Sequence, residues 1–325
     1  MTAVGYALSS EEHGAIDLVR HARRAEEAGF SFTLISDHCH SSIGRDGRSP
    51  FAWSVLGAIA QATETLRVGT GLTCPTTRID PAIIAQASAT AASLMPGRFF
   101  LGLGTGAREA EHVLGTPWTD RDVRAGRQEE TVGVIRESWA SLALTPRGHH
   151  SSAAHARIHS VPDLPPPIYV AAGGVTSARE AARLGDGLIG TRPDRALVDA
   201  FAEASGHGPR IGQVTVCWAP SEAEARRTAR DSWPMGEIHG ASIQEPPRPP
   251  HFERSTGSMS EDRVADVVPC GPDPERHLAR IAEYVDAGYD HIYLHQVGRD
   301  QTGFIKFAEG ELLPALKPKP LRLAS

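Results

Sequence analysis

The chain has 325 residues, of which 40% are hydrophobic and 22% charged, an ordinary balance for a globular protein of one large domain or two. A net charge of −6 gives no electrostatic reason to expect nucleic acid as a partner. No apolar run approaches the roughly 20 residues that cross a bilayer, and the amino terminus lacks signal-peptide regions, so we expect a cytoplasmic protein. Four widely spaced cysteines without a Cys-x-x-Cys pair predict neither a zinc knuckle nor a disulfide framework.

Apolar segments rich in β-branched residues alternate with helical patterns along the whole chain. The predicted strands are 3–9, 32–36, 67–74, 99–106, 168–174, 187–191, 210–219 and 291–297. The predicted helices are 14–29, 51–65, 79–94, 120–144, 177–184, 195–205, 221–233, 272–288 and 301–316. In the first helix, apolar residues recur at helical spacing and predict the buried face: Ile16, Val19, Ala22, Ala25 and Ala28. Gly29 is the expected C-cap, and Ser221 the expected N-cap of a later helix.

Eight strands that alternate with helices predict an α/β fold, a (β/α)8 TIM barrel, as one domain over residues 1–325. Two segments interrupt the alternation: about 145–167, interpreted as short irregular strands, and about 235–268, a long insertion over the barrel. An open doubly wound sheet is the alternative. Its glycine fingerprint belongs at the first βα turn, where no glycine precedes Gly14.

Three groups of residues follow predicted strands and would meet at the carboxyl end of such a barrel. Asp37 and His38 follow the second strand, where a ligand is expected. Gly104-Thr105-Gly106 and the run from Ala172 to Ser177 form glycine-rich turns, whose backbone N–H groups suit a phosphorylated cofactor. The simpler interpretations are a structural histidine and two tight βα turns.

The sequence also resembles a known family on a set of short motifs spread over nearly the whole chain. These are Gly5-Tyr6, Ser36-Asp37-His38, Ser49-Pro50-Phe51, Gly69-Thr70, Pro75-Thr76, 80–87 (DPAIIAQA), 96–106 (PGRFFLGLGTG), 169–174 (YVAAGG) and Gly185-Asp186-Gly187. The chain is similar to the luciferase-like flavin and deazaflavin oxidoreductases, on the branch of coenzyme F420-dependent glucose-6-phosphate dehydrogenase. The resemblance implies a bacterial-luciferase-like barrel, F420 as cofactor with FMN as the alternative, and a homodimer.

The resemblance also implies roles for individual residues. It implies a non-prolyl cis peptide at Gly71-Leu72 behind the deazaflavin and places His38 at the hydride-transfer carbon as base or hydrogen-bond partner. The residues implied to contact the cofactor are Asp37, Gly71, Leu72, Thr105, Gly106, Ala171, Ala172, Gly173 and Gly174. We expect His40, Ser42 and Thr191 to border the substrate, and Cys39 has no histidine–asparagine constellation that would make it a nucleophile.

The chain departs from the family pattern at the catalytic acid and at the phosphate clamp. Ala107 stands where the dehydrogenases have a catalytic Glu, which leaves Glu11 and Glu109 as candidate acids. The family's active-site Trp falls at about Ser42 or Ile43. Asp194 and Asp266 stand approximately where lysines grip the sugar phosphate, and no lysine precedes Lys306.

We therefore expect an F420H2-dependent reductase of a C=C, C=N or C=O bond in a small, specialised-metabolite substrate, and not glucose 6-phosphate. The alternatives are an F420-dependent alcohol or sugar dehydrogenase, an FMN-dependent monooxygenase and a non-catalytic cofactor-binding homologue. No metal site and no nucleic-acid or membrane partner is expected.

Overall fold

A computed structural model describes residues 2–38, 47–75, 79–106, 119–140, 158–233 and 260–316. Eight parallel strands form a closed barrel in chain order, and β8 pairs with β1 to complete it. The strands are β1 Ala3–Leu8, β2 Phe32–Ile35, β3 Arg67–Thr70, β4 Phe99–Leu103, β5 Ile168–Ala171, β6 Gly187–Gly190, β7 Arg210–Val216 and β8 His291–Gln296. The predicted (β/α)8 barrel is therefore confirmed.

Helices between the strands cover the outside of the barrel. They are α1 Ala15–Ala28, α2 Ala52–Ala62, α3 Pro81–Leu94, α4 Arg121–Trp139, α5 Val175–Leu184, α6 Arg195–Glu203, α7 Glu222–Ser232, α8 Glu261–Ala265, α9 Pro274–Ala287 and α10 Gln301–Phe307. A π-helical stretch, Ala308–Leu312, and a last turn, α11 Leu313–Leu316, follow α10. Within the described ranges, none of the helices has both the length and the apolar character that a membrane span requires.

Two predicted helix ends are confirmed, and one predicted packing face is confirmed except at its first residue. Gly29 ends α1 in the left-handed conformation at φ 94°, and the Ser221 side chain accepts a hydrogen bond from the Glu224 N–H at the start of α7. Ile16, however, is 73% exposed. Ala22 and Ala25 are buried as predicted, and Val19 and Ala28 are partly buried against the core, so the predicted face is confirmed except at Ile16.

The two predicted insertions are only partly described. Residues 158–167 contain no strand, so the prediction of irregular strands is wrong for that part. Residues 260–268 contain the short helix α8, whose N-cap Ser260 accepts from the Arg263 N–H. The rest of both segments lies outside the described residues.

Several predicted strands are too long, always at their carboxyl ends. β3 ends at Thr70 rather than at position 74, β4 at Leu103 rather than 106, and β5 at Ala171 rather than 174. The regular strands end at these points, and an isolated parallel bridge between Thr73 and Leu103 continues the β3–β4 pairing into the loops. We call this end of the barrel, where all eight strands finish, the barrel mouth.

The interior of the barrel is filled by one cluster of large side chains. Its buried members are Phe32, Leu34, Phe100, Tyr169, Ile189, Ile211 and Tyr293, and Ala7, Leu72 and Ala171 pack against them. Side chains two positions apart on a strand face the same way, so the residues that continue these rows toward the mouth also face the interior. A packed floor thus lies beneath the mouth.

Candidate active site

The loop after β2 is held in place by the loops that follow β1 and β3. Ser10 donates its N–H to Ser36 Oγ at 2.8 Å and its hydroxyl to the Ser36 carbonyl at 2.7 Å. Asp37 is only 7% exposed, and Thr73 donates its hydroxyl to Asp37 Oδ2 at 2.8 Å. His38 follows, half-buried. The Asp-His pair therefore lies at the barrel mouth, with the carboxylate fixed below the surface.

The loop after β3 brings Gly71 and Leu72 against the end of β4. The Gly71-Leu72 peptide bond is cis, as the family resemblance implied. A Cβ on Gly71 would lie 2.8 Å from Leu34 Cβ, so only glycine fits at this position. Thr73 donates its N–H to the Gly102 carbonyl at 2.9 Å, and its own carbonyl accepts from the Gly104 N–H at 3.0 Å. The cis peptide, Asp37 and the start of the Gly104 turn therefore form one continuous wall.

The turns after β4 and β5 are open toward the mouth. Thr105 and Gly106 are partly exposed, and Gly106 has a φ of 90°. A Cβ on Gly173 or on Gly174 would meet no atom within 4 Å. Both glycine N–H groups donate to Ser177 Oγ, at 3.1 and 3.2 Å. An anion at this turn would therefore share these N–H groups with the Ser177 hydroxyl.

The other predicted site residues are distributed around the same end of the barrel. Ala171 ends β5 and Ala172 follows it, buried. Thr191 is exposed just after β6, and its carbonyl accepts from the Tyr284 hydroxyl at 3.0 Å. Glu11 follows β1 and is half-buried. His40, Ser42 and Glu109 lie outside the described residues, as do Cys39 and Ala107.

The β7–β8 side of the mouth carries a polar group that the sequence analysis missed. The Tyr293 hydroxyl donates to Gln213 Oε1 at 2.7 Å. Thr215 and His295 are register partners, and each lies two positions beyond these residues on its strand, so all four side chains face the interior. His295 Nδ1 lies 3.4 Å from Gln213 Nε2 and 3.5 Å from Thr215 Oγ1.

Glu12, in the loop after β1, adds a charge to this group. Its Oε2 lies 3.9 Å from His295 Nε2, an ion-pair distance that is too long for a hydrogen bond. Burial acts to raise the pKa of Glu12, but His295, the Gly298 N–H and the neighbouring His13 together lower it below its ordinary value. The carboxylate is therefore ionised at neutral pH.

The sequence contains a signal for this group. His291, Tyr293 and His295 alternate along the eighth predicted strand, so they share one face of it. Residues near the carboxyl end of that face must line the mouth of a barrel. Glu12 gives no comparable signal, since only the fold brings the β1 loop beside β8.

The barrel is closed and parallel, and its mouth carries a buried carboxylate, a histidine and glycine-rich turns. These features are typical of a (β/α)8 enzyme that binds its ligand at the carboxyl ends of the strands. The family is identified by comparison with known proteins. The model of the luciferase-like monooxygenase family matches residues 1–291, and the chain belongs to this family.

Similar proteins match the chain from end to end. It is 33% identical to the F420-dependent glucose-6-phosphate dehydrogenase of Beutenbergia cavernae, over 98% of both chains. It is 34% identical to the F420-dependent hydroxymycolic acid dehydrogenase of Mycobacterium tuberculosis, over 97% of this chain and 88% of that protein.

Solved structures extend the likeness. An F420-dependent secondary alcohol dehydrogenase, solved with an F420–acetone adduct, superposes with a TM-score of 0.88 at 26% identity, over 98% of this chain and 99% of that one. The coenzyme F420-dependent tetrahydromethanopterin reductase of Methanopyrus kandleri has a TM-score of 0.78 at 18% identity, over 97% of this chain and 99% of that one, and shows the shared fold.

Proposed function

We propose that this protein is a coenzyme F420-dependent oxidoreductase that reduces a C=O, C=N or C=C bond of a small organic substrate. The observation that carries the proposal is the end-to-end likeness to the F420-dependent secondary alcohol dehydrogenase, at a TM-score of 0.88 over 98% of the chain. The related enzymes of 33% and 34% identity are also named as F420-dependent.

The barrel mouth fits a flat, phosphorylated cofactor. Gly173 and Gly174 border open space, so a phosphate can approach their backbone closely. Leu72, half-buried beside Gly104, offers an apolar surface for a ring. In this proposal Asp37, Gly71, Thr105, Gly106, Ala171 and Ala172 complete the binding site. F420 supplies hydride transfer at a carbon atom, and the protein positions the reactants.

The proposed role of His38 is at the reacting centre. It follows the fixed carboxylate Asp37 and is partly exposed at the mouth, so its imidazole is accessible to a bound molecule. An imidazole can accept a proton from an alcohol or hold a substrate oxygen by a hydrogen bond. Glu11 and Glu109 remain candidate acids, and His40, Ser42 and Thr191 remain candidate substrate contacts.

We further propose that glucose 6-phosphate is not the substrate. Asp194 caps α6 through a hydrogen bond from the Leu197 N–H at 3.2 Å, and Asp266 caps α8. Lysines would be expected near these two positions in an enzyme that grips a sugar phosphate. A phosphate beside a carboxylate instead meets repulsion on the order of 1–4 kcal/mol for each pair of unit charges at contact distance.

Oxidation of an alcohol is the second candidate, because the relatives named above are dehydrogenases. The direction is decided by incubating the protein with F420 plus a panel of alcohols, and with F420H2 plus the matching ketones, imines and enones. The reductase proposal predicts faster turnover of F420H2. Turnover of F420 with glucose 6-phosphate would contradict the proposed substrate class.

The cofactor itself is tested by fluorescence titration with F420 and with FMN. Saturable quenching by F420, with no saturation by FMN, supports the proposal; the reverse result would identify an FMN-dependent monooxygenase. His38→Ala should abolish turnover while F420 still binds. Full activity of that variant would remove His38 from the reaction, and binding without turnover on the whole panel would favour a non-catalytic homologue.

We also propose that each chain forms one continuous domain and that two chains form a homodimer. Large apolar side chains are exposed on or beside the neighbouring helices α2 and α3, namely Phe51, Ile83 and Leu94. Such residues are enriched where subunits meet. Light scattering should give about twice the mass of the 34.7 kDa chain, and a monomer at micromolar concentration would contradict the proposal.

A further inference from the structure

A buried carboxylate lies behind an imidazole on the β8 wall of the barrel mouth. The side chains of Glu12 and His295 are 10% and 8% exposed, and their facing atoms are 3.9 Å apart. The Gly298 N–H anchors the other carboxylate oxygen at 3.1 Å. Glu12 Oε2 itself makes no hydrogen bond within the described part of the chain. The group that this oxygen faces is the His295 imidazole, at ion-pair distance.

The two ring nitrogens of His295 have different surroundings. Nε2 faces Glu12, whereas Nδ1 faces the barrel interior, where Gln213 and Thr215 lie at 3.4–3.5 Å, the outer limit for hydrogen bonds. The ring of Trp233, at the end of α7, packs edge-on against the imidazole with centroids 4.8 Å apart. A buried carboxylate beside one ring nitrogen, with the other nitrogen turned toward the barrel interior, is the arrangement that orients an imidazole for proton transfer.

The groups that face His295 identify the formal charge nearest to its ring. The groups that face the ring are Glu12 and His13 from the loop after β1, Gln213 and Thr215 from β7, and Trp233 from α7. Glu12 is ionised at neutral pH because its pKa is lowered despite burial. Burial lowers the pKa of His13, although the negative charges of Glu12 and Asp17 act to raise it. His13 therefore adds little positive charge at neutral pH. The nearest formal charge is therefore the Glu12 carboxylate.

We propose that His295, oriented by Glu12, is the proton-donating group of the substrate pocket. This inference rests on the proposed reductase function. It names the group that supplies the proton in a chain that has Ala107 where the related dehydrogenases have a catalytic Glu. Hydride from F420H2, which is oxidised, forms a C–H bond at the substrate carbon, and the π electron pair moves to the substrate oxygen or nitrogen. That atom takes the proton from His295 Nδ1, and solvent then reprotonates the ring.

The dyad is tested first without any substrate. Histidine signals of ¹⁵N-labelled protein are followed by NMR from pH 5 to 8 in wild type, Glu12→Gln and His291→Gln, with His295→Gln to assign the resonance. Glutamine keeps an oxygen for the Gly298 N–H but carries no charge. The titration midpoint of His295 should therefore move to lower pH in Glu12→Gln, because the cationic ring loses its carboxylate. An unchanged midpoint would overturn the dyad.

His291→Gln is the matched control. His291 lies on the same strand, four residues nearer the other end of the barrel, and it also pairs with a carboxylate, Asp290 Oδ1 at 2.6 Å. Its replacement should leave the His295 signal where it is. A shift of the His295 midpoint of equal size in this control would show that the effect of Glu12→Gln is general and would overturn the assignment.

Kinetics then test the role in the reaction. With the first substrate that the F420H2 panel identifies, His295→Gln should lower kcat about 10²- to 10⁴-fold, with F420 affinity unchanged within about twofold. Glu12→Gln should lower kcat less and move the alkaline limb of the pH–rate profile, where the proton donor loses its proton, to lower pH. Full kcat in folded His295→Gln would refute the proton-donor role. Failure of the wild type to bind F420 would instead refute the proposed function and leave the NMR result standing.

Discussion

The hydrogen bond between Thr73 and Asp37 allows a sharp test of how the barrel mouth is organised. Thr73 is fully buried and Asp37 is 7% exposed, and the hydroxyl donates to the carboxylate at 2.8 Å. Thr73→Val keeps the shape of the side chain and removes this donor. A buried hydrogen bond to a charged group is worth about 1.5–3 kcal/mol, and we expect the free energy of unfolding to fall by this amount.

The matched control is Thr90→Val on α3. Thr90 is exposed, and its hydroxyl bonds only to the Gln86 carbonyl of its own helix at 2.9 Å. We expect this variant to change the free energy of unfolding by less than about 0.5 kcal/mol. Both variants are measured by urea denaturation, and F420 binding is measured in parallel. A loss for Thr73→Val no larger than that of the control would refute the view that the Thr73 hydroxyl stabilises the fold by fixing Asp37.

The remaining predictions concern the Gly173-Gly174 turn, the dependence of stability on pH below neutrality, and the buried hydroxyl of Tyr289. Gly174→Ala should fold normally, since its Cβ meets no atom within 4 Å, but should weaken F420 binding at least about tenfold by obstructing the phosphate. The control is Gly126→Ala on α4, where an added Cβ also meets no atom within 4 Å. This variant should bind F420 normally and gain about 0.5–1 kcal/mol of stability. Equal F420 affinity in the two variants would contradict the assignment of the turn as a phosphate site. Burial, and then the neighbouring His13, lower the pKa of His21 from 6.5 to about 4. Between these two pH values, His21 is protonated in the unfolded chain but not in the folded chain. Stability is therefore lost as pH falls from 6.5 toward 4. The His21 share of this loss is about 3 kcal/mol by linkage, reduced to about 1–2 kcal/mol by partial exposure, and urea titrations should show a loss smaller by this share in His21→Gln than in wild type. Tyr289→Phe removes a buried hydroxyl that makes no hydrogen bond within the described residues, so the free energy of unfolding should rise by up to about 1 kcal/mol; a marked loss would reveal an unrecognised partner.

Sequence periodicity was sufficient to predict the barrel, because strands and helices of a (β/α)8 protein alternate with different hydrophobic periods. It overestimated β3, β4 and β5 at their carboxyl ends. Their continuations, such as 71–74 and 104–106, are as apolar or glycine-rich as the strands themselves. What ends each strand is a change of backbone direction, which composition does not report.

The candidate site was predictable to the extent that its residues follow strands directly. Asp37 lies at the barrel mouth as expected, and the cis peptide at Gly71-Leu72 agrees with the family resemblance. Thr73 and Glu12 were not predictable, because their importance depends on a partner in another loop. His295 was predictable only in part. The alternation of side chains along β8 shows which face of the strand it is on, but its distance from Glu12 depends on the closed barrel.

The central claim is that the barrel mouth holds F420 between the Gly71-Leu72 wall and the Gly173-Gly174 turn, with His38 at the reacting carbon. A crystal structure of the protein soaked with F420 tests it most directly. We predict the deazaflavin ring against Leu72, the phosphate at the β5 turn, and the His38 imidazole within about 4 Å of the hydride-carrying carbon. A cofactor bound at the opposite end of the barrel, or a ring remote from His38, would contradict the account.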